Sequence, residues 1–148
     1  MLILKSKNLT IQLVKKLKLA VFTWRGQTPP DVYYKGTIQS LEILRDHPTI
    51  NRIIVDKKEQ SIMMPDDIEA SVKSTIDYLG IAQGNYRVAV VPPSDLLAKN
   101  AVDLYVDALN QALRKRFVVR RLEDSKSAFL WLIKPKYLLF ATMRLAKK

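Results

Sequence analysis

The sequence predicts an α/β domain: a mostly parallel central sheet that begins with an antiparallel hairpin and continues with alternating helices and strands. Three observations predict it. The first third alternates apolar and polar residues at period two, as half-buried strands do. Ile53-Ile54-Val55, Val88-Ala89-Val90-Val91 and Phe117-Val118-Val119 are continuous apolar runs, the pattern of strands covered on both faces. These runs lie about 30 residues apart with amphipathic stretches between them, the spacing of βαβ units with right-handed crossovers.

Leu2-Ile3-Leu4 offers a short edge strand. From Leu9 to Val14 the residues alternate, with Leu9, Ile11 and Leu13 on one face. Lys15-Lys16 interrupts the run and is expected to turn a hairpin, although no Asn-Gly or Asp-Gly sets its type. Leu17 to Trp24 then puts Leu17, Leu19, Val21 and Thr23 on one face, with Phe22 and Trp24 on the other. The second half of this strand is therefore expected to be covered on both sides. Arg25-Gly26 ends it. Thr28-Pro29-Pro30-Asp31 starts a helix: Thr28 can cap, Pro29 suits the first helical position, and Asp31 sits at the positive end of the dipole. Its inner side reads as Tyr34, Ile38, Leu41 and Leu44 or Arg45. Gly36 weakens such a helix by roughly 1 kcal/mol relative to Ala; a small residue there also marks close packing. His47-Pro48 stops it.

Ile53-Ile54-Val55 ends in Asp56. Met64-Pro65-Asp66-Asp67 opens the next helix, whose Ile68, Val72, Ile76 and Leu79 form one apolar stripe, with Gly80 as its C-cap. Val88 to Val91 is closed by Pro92-Pro93. Ser94 is expected to cap a helix reaching Lys115. That helix has two stripes: Leu97, Ala101, Tyr105, Ala108 and Ala112; and Val102, Val106, Leu109 and Leu113. One faces the sheet, and the second calls for a neighbouring helix or a partner. After the last strand, Asp124 caps a short helix, Ser125–Ile133, that turns Ala128, Trp131 and Leu132 inward.

A length of 148 residues corresponds to about one domain. It is long enough to bury roughly 68–70% of the unfolded surface with no disulfide or metal staple. We read residues 1–134 as that domain and 135–148 as a basic, apolar C-terminal extension. There is no cysteine, which excludes disulfides, thiol catalysis and Cys-type zinc sites and fits a reducing compartment. No apolar run approaches the roughly 20 residues of a transmembrane helix. Met1-Leu-Ile-Leu before Lys5 is too short for a secretory signal. A cytoplasmic location is expected.

The net charge is +11. Residues 1–26 hold six basic residues and no acid, residues 134–148 hold five and no acid, and the stretch between has 14 of each sign. A neutral body with two basic ends attracts anions. Weak electrostatic attraction to anionic lipid or nucleic acid follows.

Catalytic chemistry finds little footing. His47 is the sole histidine, so no Ser-His-Asp set, Cys-His pair or His-rich metal site exists. Asp66, Asp67 and Glu69 are accounted for by the preference for acids in a first helical turn. The four glycines are too scattered for a phosphate loop. No catalytic residue, metal or cofactor is expected, and the chain is not read as an enzyme. Asp56 ends a strand where open α/β sheets place ligands. Arg114, Lys115 and Arg116, with Arg120 and Arg121, flank the last strand; they either complement a helix C-terminus or contact anions. With Arg144 of the extension, the candidate partner-binding residues are Asp56, Arg114, Arg116, Arg120, Arg121 and Arg144.

Several motifs together carry a family resemblance. They are Phe22-Thr-Trp-Arg-Gly26 before the first helix, Ile53-Ile-Val-Asp56 closing a strand and Pro65-Asp66-Asp67 opening the second helix. Arg87-Val-Ala-Val-Val-Pro92 and Asp124…Ala128-Phe-Leu-Trp131-Leu132 complete the set. Taken in this order, residues 9–133 resemble the STAS (SpoIIAA-like) domain in its divergent bacterial branch. The resemblance implies a non-catalytic module. Bacterial regulatory members bind an anti-sigma kinase and are switched by phosphorylation of a serine in an Asp-Ser-Ser-Gly-like turn. Here Asp56 is followed by Lys57-Lys58-Glu59-Gln60-Ser61, so that turn is missing and Ser61 is merely the nearest serine. The expected function is a regulatory or protein-interaction module that binds a protein partner or itself, as a homodimer. The alternative is a peripheral binder of anionic lipid or of a small apolar ligand.

Overall fold

The computed structural model describes residues 1–61, 65–79, 85–112 and 117–133. Six strands form one sheet in the order β1 to β6: β1 (Leu2–Lys5), β2 (Leu9–Val14), β3 (Leu19–Gly26), β4 (Arg52–Gln60), β5 (Tyr86–Val91) and β6 (Phe117–Arg121). The first three pair antiparallel, and β3 through β6 run parallel. The parallel neighbours are joined by α1 (Pro30–Asp46), α2 (Pro65–Leu79) and α3 (Leu96–Ala112), and α4 (Ser125–Ile133) follows β6.

Strand order equals sequence order, so every crossover steps the same way along the sheet. Right-handed crossovers then put all three helices on one face. The packing shows this. Tyr33, Leu41 and Leu44 of α1, and Val102, Tyr105, Val106 and Leu109 of α3, share one core with Phe22, Trp24, Ile53, Val55, Val88, Val90 and Val119. Val72 and Ile76 of α2 pack against it. The opposite face is left to α4, whose Ala128, Trp131 and Leu132 cover Leu19, Ile54, Ala89 and Val91. Gln12 and Val14 of the hairpin are exposed on that face and Thr10 half-buried, as one side of an antiparallel sheet allows.

Local structure departs from the sequence reading in several places. Lys15–Leu17 forms a 3-10 turn closed by Lys18 in the left-handed region at φ 52°, so Leu17 precedes the strand. The double cover on β3 falls on its first half, Leu19 and Ala20; Val21 and Thr23 are half-buried. Thr28 does not cap: α1 starts from Pro29 with no side-chain cap, Pro30 takes the first turn, and Thr28 Oγ1 donates instead to Gly26 O at 3.5 Å. The inner face of α1 is Tyr33, Gly36, Thr37, Ser40, Leu41 and Leu44; Tyr34 is 51% exposed. One residue of helical phase separates the two readings, because polar Thr37 and Ser40 conceal the stripe. Their hydroxyls donate to Tyr33 O and Gly36 O, one turn back, at 2.9 and 2.8 Å, so both can be buried.

Ser94 falls one residue short of the cap position: α3 starts at Leu96, and the Lys99 N–H donates to Asp95 O at 2.8 Å. The edge strand Leu2–Lys5 forms, and Asp124 Oδ1 accepts from the Ser127 N–H at 2.7 Å to cap α4. Helix α2 packs against α3, and Val102, Tyr105, Val106 and Leu109, drawn from both stripes, are buried. Gly80 and Leu113 lie outside the described residues.

Gly36 is closely packed. A Cβ there would lie 2.5 Å from Trp24 Cη2 and 3.1 Å from Leu9 Cδ2. The helix would gain roughly 1 kcal/mol from Gly36→Ala, against an overpacking cost of roughly 1–3 kcal/mol. Urea unfolding of Gly36→Ala should show a lower midpoint at unchanged slope. A midpoint at or above wild type would mean that Trp24 is free to move aside.

Candidate functional site

Strands β3 and β4 run in register from Leu19 with Arg52 to Thr23 with Asp56. Beyond that point Arg25 pairs with Glu59 and Gly26 with Gln60. Two steps along β3 match three along β4, so β4 absorbs one extra residue. Its alternation is reset. Ile53, Val55 and Lys57 face the three helices, Lys58 and Glu59 are exposed, and Gln60 is buried again. Gln60 pairs with Gly26, two residues beyond the inward Trp24, which puts its side chain on the helical face as well.

Lys57 is therefore a lysine inside the core, 1% exposed. Its Nζ donates to Tyr33 Oη at 2.8 Å and lies 4.9 Å from the ring centroids of both Tyr33 and Tyr105. Tyr33 Oη in turn donates to Ser71 Oγ at 3.2 Å. The Tyr33 ring is seated against Trp24, with centroids 4.8 Å apart. Burial lowers the Lys57 pKa to about 8, with Tyr105 pulling weakly the other way. Burial likewise raises the Tyr105 phenol, helped by Tyr33 and opposed by Lys57 and a hydrogen bond with Thr75. Gln60 is 4% exposed, and its Oε1 and Nε2 are buried without a hydrogen-bond partner.

Lys57, Tyr33, Tyr105, Trp24, Ser71 and Thr75, but not Gln60, line a cavity of about 60 Å³ between the sheet and α1, α2 and α3. That is room for about four to six waters or one small organic molecule. The wall is graded. Helix α1 runs antiparallel to β4, so Tyr33 meets Lys57 near the carboxyl ends of the strands. Leu41 and Leu44 lie toward Ile53, more than 10 Å away along β4 by roughly 3.3 Å per residue. Tyr33, Ser71, Thr75, Tyr105 and Lys57 make the polar end, and Leu41, Leu44, Ile53, Val88, Leu109 and Val119 the apolar one.

Sequence reasoning placed its candidates elsewhere. Asp56 turns to the opposite face, where Oδ1 accepts from the Lys58 N–H at 3.0 Å and Oδ2 from Ser125 Oγ at 2.9 Å, tying β4 to the start of α4. Arg120 and Arg121 are successive strand residues and point to opposite faces. Arg121 pairs with Asp103 of α3, whereas Arg120 lies 6.0 Å from the Trp131 ring on the α4 side. Arg87 stacks 4.3 Å over the same ring and donates to Trp131 O at 3.3 Å. Burial, then the charges of Arg52 and Arg120, press the Arg87 pKa down. Ser61 is exposed just past β4, its N–H donating to Gly26 O. Arg114, Arg116 and Arg144 lie outside the described residues, as do the side chains of Asp66 and Asp67. Lys57, Tyr33, Ser71, Thr75 and Tyr105 were missed. The available signal was the continued period of Ile53, Val55 and Lys57, hidden behind the reading that Asp56 ends the strand.

No protein-family model and no curated protein matches this chain. In fold it is similar to the crystal structure of an uncharacterised protein of the DUF3478 family, described as having a SpoIIAA-like fold, from Shewanella loihica PV-4. The TM-score is 0.53 at 16% identity, over 88% of this chain and 98% of that one. The fold is thus SpoIIAA-like. No helix among the described residues is long and apolar enough to cross a membrane.

Lys57 makes stability depend on pH. Unfolded, the lysine holds its proton to about 10.4; folded, it releases it near 8. Between these values the unfolded state binds more protons, so stability rises with pH. From pH 8 to 9.5 the gain should be about 1.5 kcal/mol. Tyr86 and Tyr105, raised by burial, oppose it only as pH passes 10. Urea unfolding across this window should show the rise in wild type and its loss in Lys57→Met. Equal slopes in the two proteins would place Lys57 in water.

Proposed function

We propose that this SpoIIAA-like domain is a non-catalytic binding module that holds a small, largely apolar ligand between its sheet and α1–α3. The cavity carries this reading: a fold that interleaves Leu, Val and aromatic side chains to native density leaves few voids larger than a water. Binding sites are commonly enclosed, mostly apolar and furnished with a few convergent polar groups. The non-catalytic part rests on the described lining residues, whose titratable members are Lys57, Tyr33 and Tyr105. 1-Hexanol should bind wild type saturably and raise its Tm with concentration. Ser40→Leu fills the cavity and removes only a hydroxyl bonded within its own helix. That variant should stay folded and lose the shift. Absence of saturable binding to wild type would sink the proposal.

A second reading, peripheral attachment to anionic lipid, is favoured by Arg52, Arg87 and Arg120 grouped on the α4 side of the sheet together with the basic chain ends. Wild type should co-sediment with phosphatidylglycerol vesicles at low salt and be released as salt rises. Arg120→Glu should sediment less. Equal sedimentation with neutral vesicles would remove this reading.

A further inference from the structure

Ile53, Val88 and Val119 face the three helices, so their strand neighbours Arg52, Arg87 and Arg120 face the α4 side. We propose that these three arginines form a discrete site for a phosphate monoester, the dianionic group of a soluble phosphate or of a phosphatidate lipid. The proposal uses the arginines of the lipid reading above and goes beyond it, because it requires one shaped site and no membrane surface.

Four observations carry it. First, the sheet gathers the guanidinium groups. Arg52 and Arg87 are register partners on β4 and β5, and Arg87 and Arg120 lie 4.3 and 6.0 Å from the Trp131 ring. Like charges set opposite one another destabilise a sheet, and the charges of Arg52 and Arg120 both act on Arg87. An anion placed among them replaces repulsion with attraction.

Second, no acid answers this charge. The ion pairs among the described residues take Asp46 and Asp103. Of the 14 acidic residues only Asp66 and Asp67 fall outside the described side chains, and α2, which carries them, packs on the other face. Asp56 is on the α4 side but four residues beyond Arg52, about 13 Å along β4. Its carboxylate is taken by Lys58 and Ser125.

Third, the donors are oriented and available. Arg52 Nη1 donates to Leu17 O at 2.9 Å, and Arg87 is stacked on Trp131 with Nη2 donating to Trp131 O at 3.3 Å. A guanidinium carries five donors, so most remain for a ligand. Arg120 is exposed, and Val118, the register partner of Arg87 on β6, is 52% exposed, so solvent reaches this corner of the face. Donors held in place reduce the ordering cost of binding. Fourth, the charge selects the ligand. A carboxylate would leave two of the three cations unanswered and a dianion only one, and guanidinium forks match phosphate oxygens in pairs.

Titration calorimetry with glycerol 3-phosphate, a monoester, and dimethyl phosphate, a monoanionic diester, tests the site. Wild type should bind glycerol 3-phosphate saturably and at least about tenfold tighter than dimethyl phosphate. Arg120→Gln changes an exposed side chain, so it should stay folded and lose that preference. Lys73→Gln removes the same charge from the exposed side of α2 and should keep it. Co-sedimentation with phosphatidate and phosphatidylglycerol vesicles of matched surface charge locates the phosphate. Preference for phosphatidate assigns a lipid; equal sedimentation, with glycerol 3-phosphate bound, assigns a soluble ester. No preference for the monoester in either format overturns the site, as does a preference that survives in Arg120→Gln or is lost equally in Lys73→Gln. Salt-sensitive binding to phosphatidylglycerol that persists in those cases leaves the lipid reading standing, so the two fail separately.

Discussion

The handedness of three crossovers governs this molecule. Strands that follow one another in sheet order, joined by right-handed connections, put α1, α2 and α3 side by side on one face. Everything distinctive follows from that crowding. The helical face carries the large core, and the other face has α4 on β4 and β5 with a solvated hairpin beside it. Three helices spanning a twisted sheet meet it at different heights, and the space they leave over β4 is the cavity.

The edges of that space are held by close contacts. Trp24 wedges against Gly36 and packs at a tilt against Tyr33, so α1 is set at a fixed distance from β3. A larger residue at position 36 would lift the helix and alter the wall at Tyr33, one turn away. The register shift in β4 works from the other side. Without the extra residue the alternation after Lys57 would bring Glu59 inward and leave Gln60 outward; with it, Lys57 and Gln60 share a face. Two local features, a glycine and a bulge, thereby set the spacing of α1 from the sheet and which residues at the end of β4 face the helices.

The fold was legible in the sequence because its signals are cumulative. Ile53-Ile54-Val55 and Val88 to Val91 mark doubly covered strands whatever the details of their ends, and the crossover spacing yields the parallel sheet. The site was not legible, for identifiable reasons. The β4 strand continues past Asp56 through Lys57-Lys58-Glu59, residues whose local preference is for solvent. A polar pentad after an apolar run reads as a loop, yet hydrogen bonding to β3 holds it in the sheet as far as Gln60. The inner stripe of α1 includes Thr37 and Ser40, which look like surface residues until each finds a carbonyl one turn back. The charge pattern drew notice to Arg120 and Arg121 because they are neighbours in sequence, but strand alternation sends them to opposite faces; Asp56 was singled out as a strand end, yet β4 continues past it and turns it to the α4 side. Tertiary pairing overrode local preference at each of these points.

Position 57 is also where the energetic argument is sharpest. A lysine titrating at about 8 rather than 10.5 has its charged form disfavoured by about 3 kcal/mol relative to water. Domains of this size are stable by only about 5–15 kcal/mol, so the strain is a substantial fraction of the total. A methionine of similar length would fill the same space without it. Consistency between local chemistry and fold is the ordinary condition of a stable domain, and departures from it concentrate at functional sites. The arginines around Trp131 support a weaker argument: Arg120 remains exposed to water and Arg87 is only half-buried. A buried cation gripped by two tyrosines beside an apolar hollow does not arise from surface charge.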